Sequence, residues 1–140
     1  MQVRVFTVGA FQVNTYLLTD PATGQSAVVD TGETDELPRR LLAMSPRPDV
    51  RMILLTHTHL DHAGALPALQ AAFDVPTYMP RKDQPLFDTL PMQARAFGIP
   101  MPPVTRPAEV GLSDVQVPGG YWKQLAVPLR WRRLGSTPPG

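Results

Sequence analysis

All three histidines of this 140-residue chain fall inside one run, Thr56-His57-Thr58-His59-Leu60-Asp61-His62-Ala63-Gly64, with the carboxylate of Asp61 among them. A scarce residue type crowded around an acid is the composition of a divalent-metal site. The run also constrains the fold. Met52-Ile53-Leu54-Leu55 before it is a short apolar segment of buried-strand type, and Ala63-Gly64-Ala65-Leu66 after it begins a helical pattern. The run therefore belongs at a strand-to-helix turn. If extended backbone continues through Thr56, His57 and His59 project to one side with period two, and the turn presents Asp61 and His62 beside them. Neutral imidazole with carboxylate suits zinc, iron or manganese rather than calcium or magnesium, and a chain without cysteine cannot build thiolate-rich structural zinc.

The flanking sequence alternates strands and helices. Gln2 to Thr7, Asn14 to Thr19 and Ser26 to Val29 are expected as strands, with Asp20-Pro21-Ala22-Thr23-Gly24 as a turn and Asn14 stabilising a hairpin. Glu36 to Met44 is expected as a helix, with Pro38 in its first turn and Leu37, Leu41 and Met44 on one face. Met52 to Leu55 returns to the sheet, Ala63 to Phe73 forms a second helix, and Val75 to Met79 gives another strand. From Met92 onward, Pro100, Pro102, Pro103 and Pro107 argue for a surface loop.

The length is that of one domain, and 43% hydrophobic content is enough for a buried core. The amino terminus alternates polar and apolar residues, unlike a secretory signal, and no apolar run approaches the roughly 18 residues of a membrane span. A soluble, unexported, cytoplasmic protein is expected.

Together with two upstream segments, the histidine run carries a family resemblance. The run matches the His-x-His-x-Asp-His signature of the metallo-β-lactamase superfamily, and Ala63-Gly64 after it resembles the glyoxalase II-like branch. Phe11-Gln12-Val13-Asn14-Thr15-Tyr16-Leu17-Leu18 looks like the family's first hairpin, and Ala27-Val28-Val29-Asp30-Thr31-Gly32 like its strand ending in Asp-x-Gly. The resemblance implies an α+β fold, the metallo-β-lactamase-like αββα sandwich, with its first half to two thirds in residues 1–118. It implies His57, His59, Asp61 and His62 as metal ligands, two zinc ions in a complete site with iron or manganese as alternatives, and Asp61 as the catalytic residue that also orients the nucleophile. Asp30 would accept a hydrogen bond from a ligand imidazole.

The reaction implied is hydrolysis of an ester, thioester or related bond by a metal-activated hydroxide. The glyoxalase-like flavour favours a thioester such as a glutathione conjugate. Two alternatives stand beside it: a single-iron sulfur dioxygenase of the same fold, and a fragment without catalytic competence. No histidine follows His62, so the family's later metal ligands have no counterpart in this sequence.

Residues 119–140 differ in kind. Tyr121 to Gly140 holds both tryptophans, Lys123, Arg130, Arg132 and Arg133 and no acid, whereas the first 120 residues carry nine basic against twelve acidic side chains. A few charges without a motif make an ordinary solvated tail, so a small-molecule substrate is expected rather than nucleic acid or membrane. This segment is read as a truncated or frame-shifted end. On that reading Val28, Ile53 and Leu55 lack a covering layer, and self-association is expected.

Overall fold

The computed structural model describes residues 2–56, 58–80, 84–99, 108–110, 116–117 and 120–121. Six strands form one sheet in sequence order: β1 (Gln2–Val8), β2 (Val13–Thr19), β3 (Gln25–Val29), β4 (Asp49–Leu54), β5 (Thr77–Pro80) and β6 (Ala108–Val110). The first three pair antiparallel, and β3 to β6 pair parallel. Hairpins join the first set because their turns are short; helical crossovers join the second, as parallel pairing requires. A separate hairpin pairs β7 (Gln116–Val117) with β8 (Gly120–Tyr121).

Both faces of the sheet's centre are buried. Leu17, Val28 and Ile53 join one cluster with Leu37 and Leu41 of helix α1 (Glu36–Leu42) and Leu66 and Leu69 of helix α3 (Leu66–Ala72). Their strand neighbours Tyr16, Leu18, Val29 and Leu54 form a second cluster. The alternation follows from the period of two, and burial on both sides explains why β2 to β4 read as nearly continuous apolar runs. The expected shortage of partners at Val28, Ile53 and Leu55 is corrected here: all three are buried on the helix-bearing side. Residues of one parity on these strands are met by helices rather than by a second sheet.

Two helical expectations also change. The helix expected over residues 63–73 is divided into α2 (Leu60–Ala63) and α3, and Pro67 sits in the first turn of α3, where its missing N–H costs no hydrogen bond. Residues 92–96, expected as loop, complete helix α5 (Leu90–Ala96), which follows the single turn α4 (Gln84–Phe87). Pro91 lies in the first turn of α5, and Leu90 and Ala94, one turn apart, enter the main core. The breaking prolines at 100–107 lie outside the described residues, so the helix ends before they act. The basic segment after Tyr121 also lies outside them. Among the described residues no helix is long and apolar enough to cross a membrane.

Candidate metal centre

Parallel pairing places the carboxyl ends of β3 and β4 at the same edge of the sheet, where open α/β sheets present ligand sites. Asp30 follows β3 and Thr56 lies two residues beyond β4. The Asp30 amide donates to the Leu54 carbonyl at 2.8 Å, after which the backbone leaves the sheet with φ of 64° at Asp30. A left-handed conformation is uncommon outside glycine, although aspartate tolerates it better than most residues. Such a conformation persists where surrounding bonds over-determine it.

Those bonds are present. Asp30 is 1% exposed. Its Oδ1 accepts from the Thr56 amide at 2.8 Å, and its Oδ2 accepts from the Thr56 hydroxyl at 2.7 Å. The same Oδ2 lies 3.0 Å from His62 Nδ1. Because the carboxylate oxygens accept, Nδ1 is the donating nitrogen, and Nε2 is the ring nitrogen on the Asp61 side. The backbone makes the same join: the Thr31 amide donates to the His62 carbonyl at 2.8 Å, and the Ala65 amide to the Gly32 carbonyl at 2.8 Å.

The glycines of both motifs allow this close approach. Gly32 has φ of 76°, and a Cβ there would stand 2.6 Å from Val8 Cγ2. At Gly64 a Cβ would stand 2.6 Å from the Leu60 carbonyl oxygen and 3.2 Å from the Glu33 Cα. The Asp-x-Gly segment and the end of the histidine run are thus packed directly on each other.

His62 Nε2 lies 3.5 Å from Asp61 Oδ2, with 18% and 36% of the two side chains exposed. Two donors each about 2.1 Å from a tetrahedral ion stand about 3.4 Å apart, so this nitrogen and oxygen fit a shared zinc-type cation. His59 is exposed at the N-cap of α2 with extended backbone, φ −65° and ψ 151°. His57 lies outside the described residues, so its expected place beside His59 is not described. The structure thus gathers Asp30, Asp61 and His62 and sets His59 at the start of the same helix. Among the described residues, no three His, Asp or Glu side chains converge on one point.

Sequence reasoning missed two supports of this loop. Glu33 Oε1 accepts from the amides of Ala10 and Phe11, and Glu36 Oε1 accepts from the Gly9 amide at 3.1 Å. Both acids fasten the β1–β2 turn to the segment after Gly32. From that turn Phe11 meets Phe97, at the end of α5, edge to face at 5.2 Å. The second support is Gln93 of α5, whose Oε1 accepts from the Leu60 amide at 2.9 Å. Gly9 and the four-residue Thr89/Gln93 spacing are the local signals the sequence offers; the partners, more than 20 residues away, have none. Asn14 does stabilise the first hairpin, accepting from the Thr7 hydroxyl at 2.8 Å.

The model of the metallo-β-lactamase superfamily matches residues 8–133. Hydroxyacylglutathione hydrolase GloC of Haemophilus influenzae is 36% identical over 101 residues, covering 71% of this chain and 47% of that protein. A hydroxyacylglutathione hydrolase of Bdellovibrio bacteriovorus is 44% identical over 69 residues, covering 49% of this chain and 27% of that protein. The chain therefore spans about half or less of the length of these relatives. Among solved structures, TTHA1623 in a di-iron-bound form aligns at TM-score 0.66 and 34% identity over 84% of this chain and 58% of its own. The BLEG-1 B3 metallo-β-lactamase shares the fold at TM-score 0.64 and 23% identity, over 83% of this chain and 56% of its own.

Proposed function

From the premise that this chain belongs to the metallo-β-lactamase superfamily, with its mixed α+β fold, we propose that it carries the first metal-binding loop of a cytoplasmic metal-dependent hydrolase acting on a thioester of the glutathione-conjugate class. The observation that carries this is the relay from Asp30 through His62 to Asp61. A buried carboxylate holds the imidazole through Nδ1, and the other ring nitrogen stands 3.5 Å from a second carboxylate oxygen. The hydroxyacylglutathione hydrolases of H. influenzae and B. bacteriovorus supply the preference for a thioester.

A zinc or iron ion, when bound, would supply Lewis acidity and bring the pKa of water toward neutrality. His57 and His59 would serve one ion, and Asp61 and His62 the other. Asp61 also orients the attacking water, and Asp30 holds His62 so that its coordinating nitrogen faces the site.

Hydrolysis of a glutathione thioester, followed by thiol release with added zinc or iron, tests this reading. Turnover should disappear with chelator and in His62→Ala, while Asp30→Asn weakens metal affinity about 10–100-fold. Turnover indifferent to both chelator and His62→Ala would remove the basis for the assignment.

A further inference from the structure

The peptide between His59 and Leu60 is the seam of the histidine run, where extended backbone becomes helix α2. It separates the His57/His59 pair from the Asp61/His62 pair. A helix start leaves its first amides without intrahelical partners, and His59, the N-cap, makes no side-chain capping bond. The Leu60 amide instead donates to Gln93 Oε1 at 2.9 Å, from a residue 33 positions away.

The orientation of the Gln93 amide is set by its other end. Gln93 Nε2 donates to Thr89 Oγ1 at 3.0 Å and reaches the Leu86 carbonyl at 3.5 Å. The Thr89 hydroxyl donates its own proton to that carbonyl at 2.7 Å, which leaves its oxygen as acceptor. A flipped amide would set a donor against the Leu60 N–H, so the network admits one orientation. The helix beneath is also fixed, because Leu90 and Ala94 are buried in the cluster that contains Leu60.

We propose that Gln93 is a positioning residue for the metal ligands: its amide oxygen pins the His59–Leu60 peptide and so sets where His59 stands relative to Asp61 and His62. This rests on the metal-centre reading above. A bond to the backbone between ligands restricts rotation on both sides of it, at His59 ψ and Leu60 φ. Carboxylates and amides that orient ligands in this way typically contribute 10–100-fold in metal affinity.

The test uses the full chain with cobalt(II) as probe, read by its ligand-field spectrum and by titration calorimetry, and compares Gln93→Met with Gln93→Glu. Methionine keeps the length and removes the acceptor; glutamate keeps the acceptor, and the Thr89 hydroxyl can turn to donate to the oxygen that replaces Nε2. Gln93→Met should bind cobalt about 10–100-fold more weakly with an altered spectrum, and Gln93→Glu should return affinity to within about threefold. Native-state exchange of the Leu60 amide should rise in Gln93→Met only, which confirms a folded protein with the bond lost. If Leu60 exchange rises while cobalt affinity and spectrum stay at wild-type values, Gln93 merely caps α2 and the proposal is overturned. If the wild-type chain takes up no cobalt, the metal-centre reading itself fails and takes this role with it.

Discussion

The histidine run is held from two sides, and the sides are built differently. On the sheet side, the 1%-exposed carboxylate of Asp30 joins Thr56 to His62, reinforced by backbone bonds from Thr31 and Ala65. On the helix side, one half-buried amide from Gln93 meets one backbone N–H. Removing a buried carboxylate takes an acceptor from several groups at once; removing the Gln93 oxygen takes it from one. The sheet side should therefore govern stability, and the helix side should govern finer placement of the ligands.

The largest expected effect comes from Asp30→Ala. It leaves the Thr56 amide, the Thr56 hydroxyl and His62 Nδ1 without their carboxylate acceptor, and it places alanine at φ of 64°. At about 1–3 kcal/mol for each part-buried group that loses this acceptor, partly relieved by relaxation and added to the backbone strain, the loss should be about 3–5 kcal/mol. Denaturant unfolding measures it. A loss below about 1 kcal/mol would erase the distinction between the two supports.

Gly32→Ala probes the same side through packing instead of hydrogen bonding. The new methyl would meet Val8 Cγ2 at 2.6 Å, and the backbone has φ of 76°. Left-handed strain and overpacking each cost about 1–3 kcal/mol, so a combined loss of about 2–4 kcal/mol is expected. The control is Gly24→Ala, where φ is also 76° but nothing lies within 4 Å of the added methyl. It should lose only the conformational part, about 1–2 kcal/mol. Equal losses in the two variants would show that close packing at Gly32 contributes nothing to the hub.

The two sides also differ in how much the amino-acid sequence discloses. Strand periodicity sets the faces of β2 to β4, and Asp-x-Gly followed by the histidine run marks Asp30, Asp61 and His62, because short-range pattern and burial coincide there. The helix side escaped for two reasons. Proline-rich sequence after Ile99 outweighed the Leu90/Ala94 spacing that buries α5, although Pro91 at a helix start is compatible with helix. The Gln93–Leu60 bond, moreover, joins residues 33 apart, and no local spacing encodes a tertiary hydrogen bond of that kind. A single helix over residues 63–73 was likewise too simple, since the turn between α2 and α3 depends on Gly64 fitting against Leu60 and Glu33.

The smallest expected effect is a coupling. Asp30 touches Thr56 and His62, whereas Gln93 touches Leu60, Thr89 and Leu86, so among the described residues their side chains share no hydrogen-bond partner. In metal-free protein, Asp30→Asn and Gln93→Met should then destabilise additively, with an interaction energy within about 0.5 kcal/mol of zero. Gln93→Met alone should cost about 1–3 kcal/mol, the value of the two neutral hydrogen bonds to the Leu60 amide and Thr89 Oγ1. A cycle of four denaturant titrations gives the coupling directly. A value above about 1 kcal/mol would mean that residues 59–62 transmit strain as one rigid body, so that the sheet-side hub and the helix-side amide act as a single support. A value near zero keeps them separate and assigns the geometry of the two ligand pairs to two independent constraints, one at each end of α2.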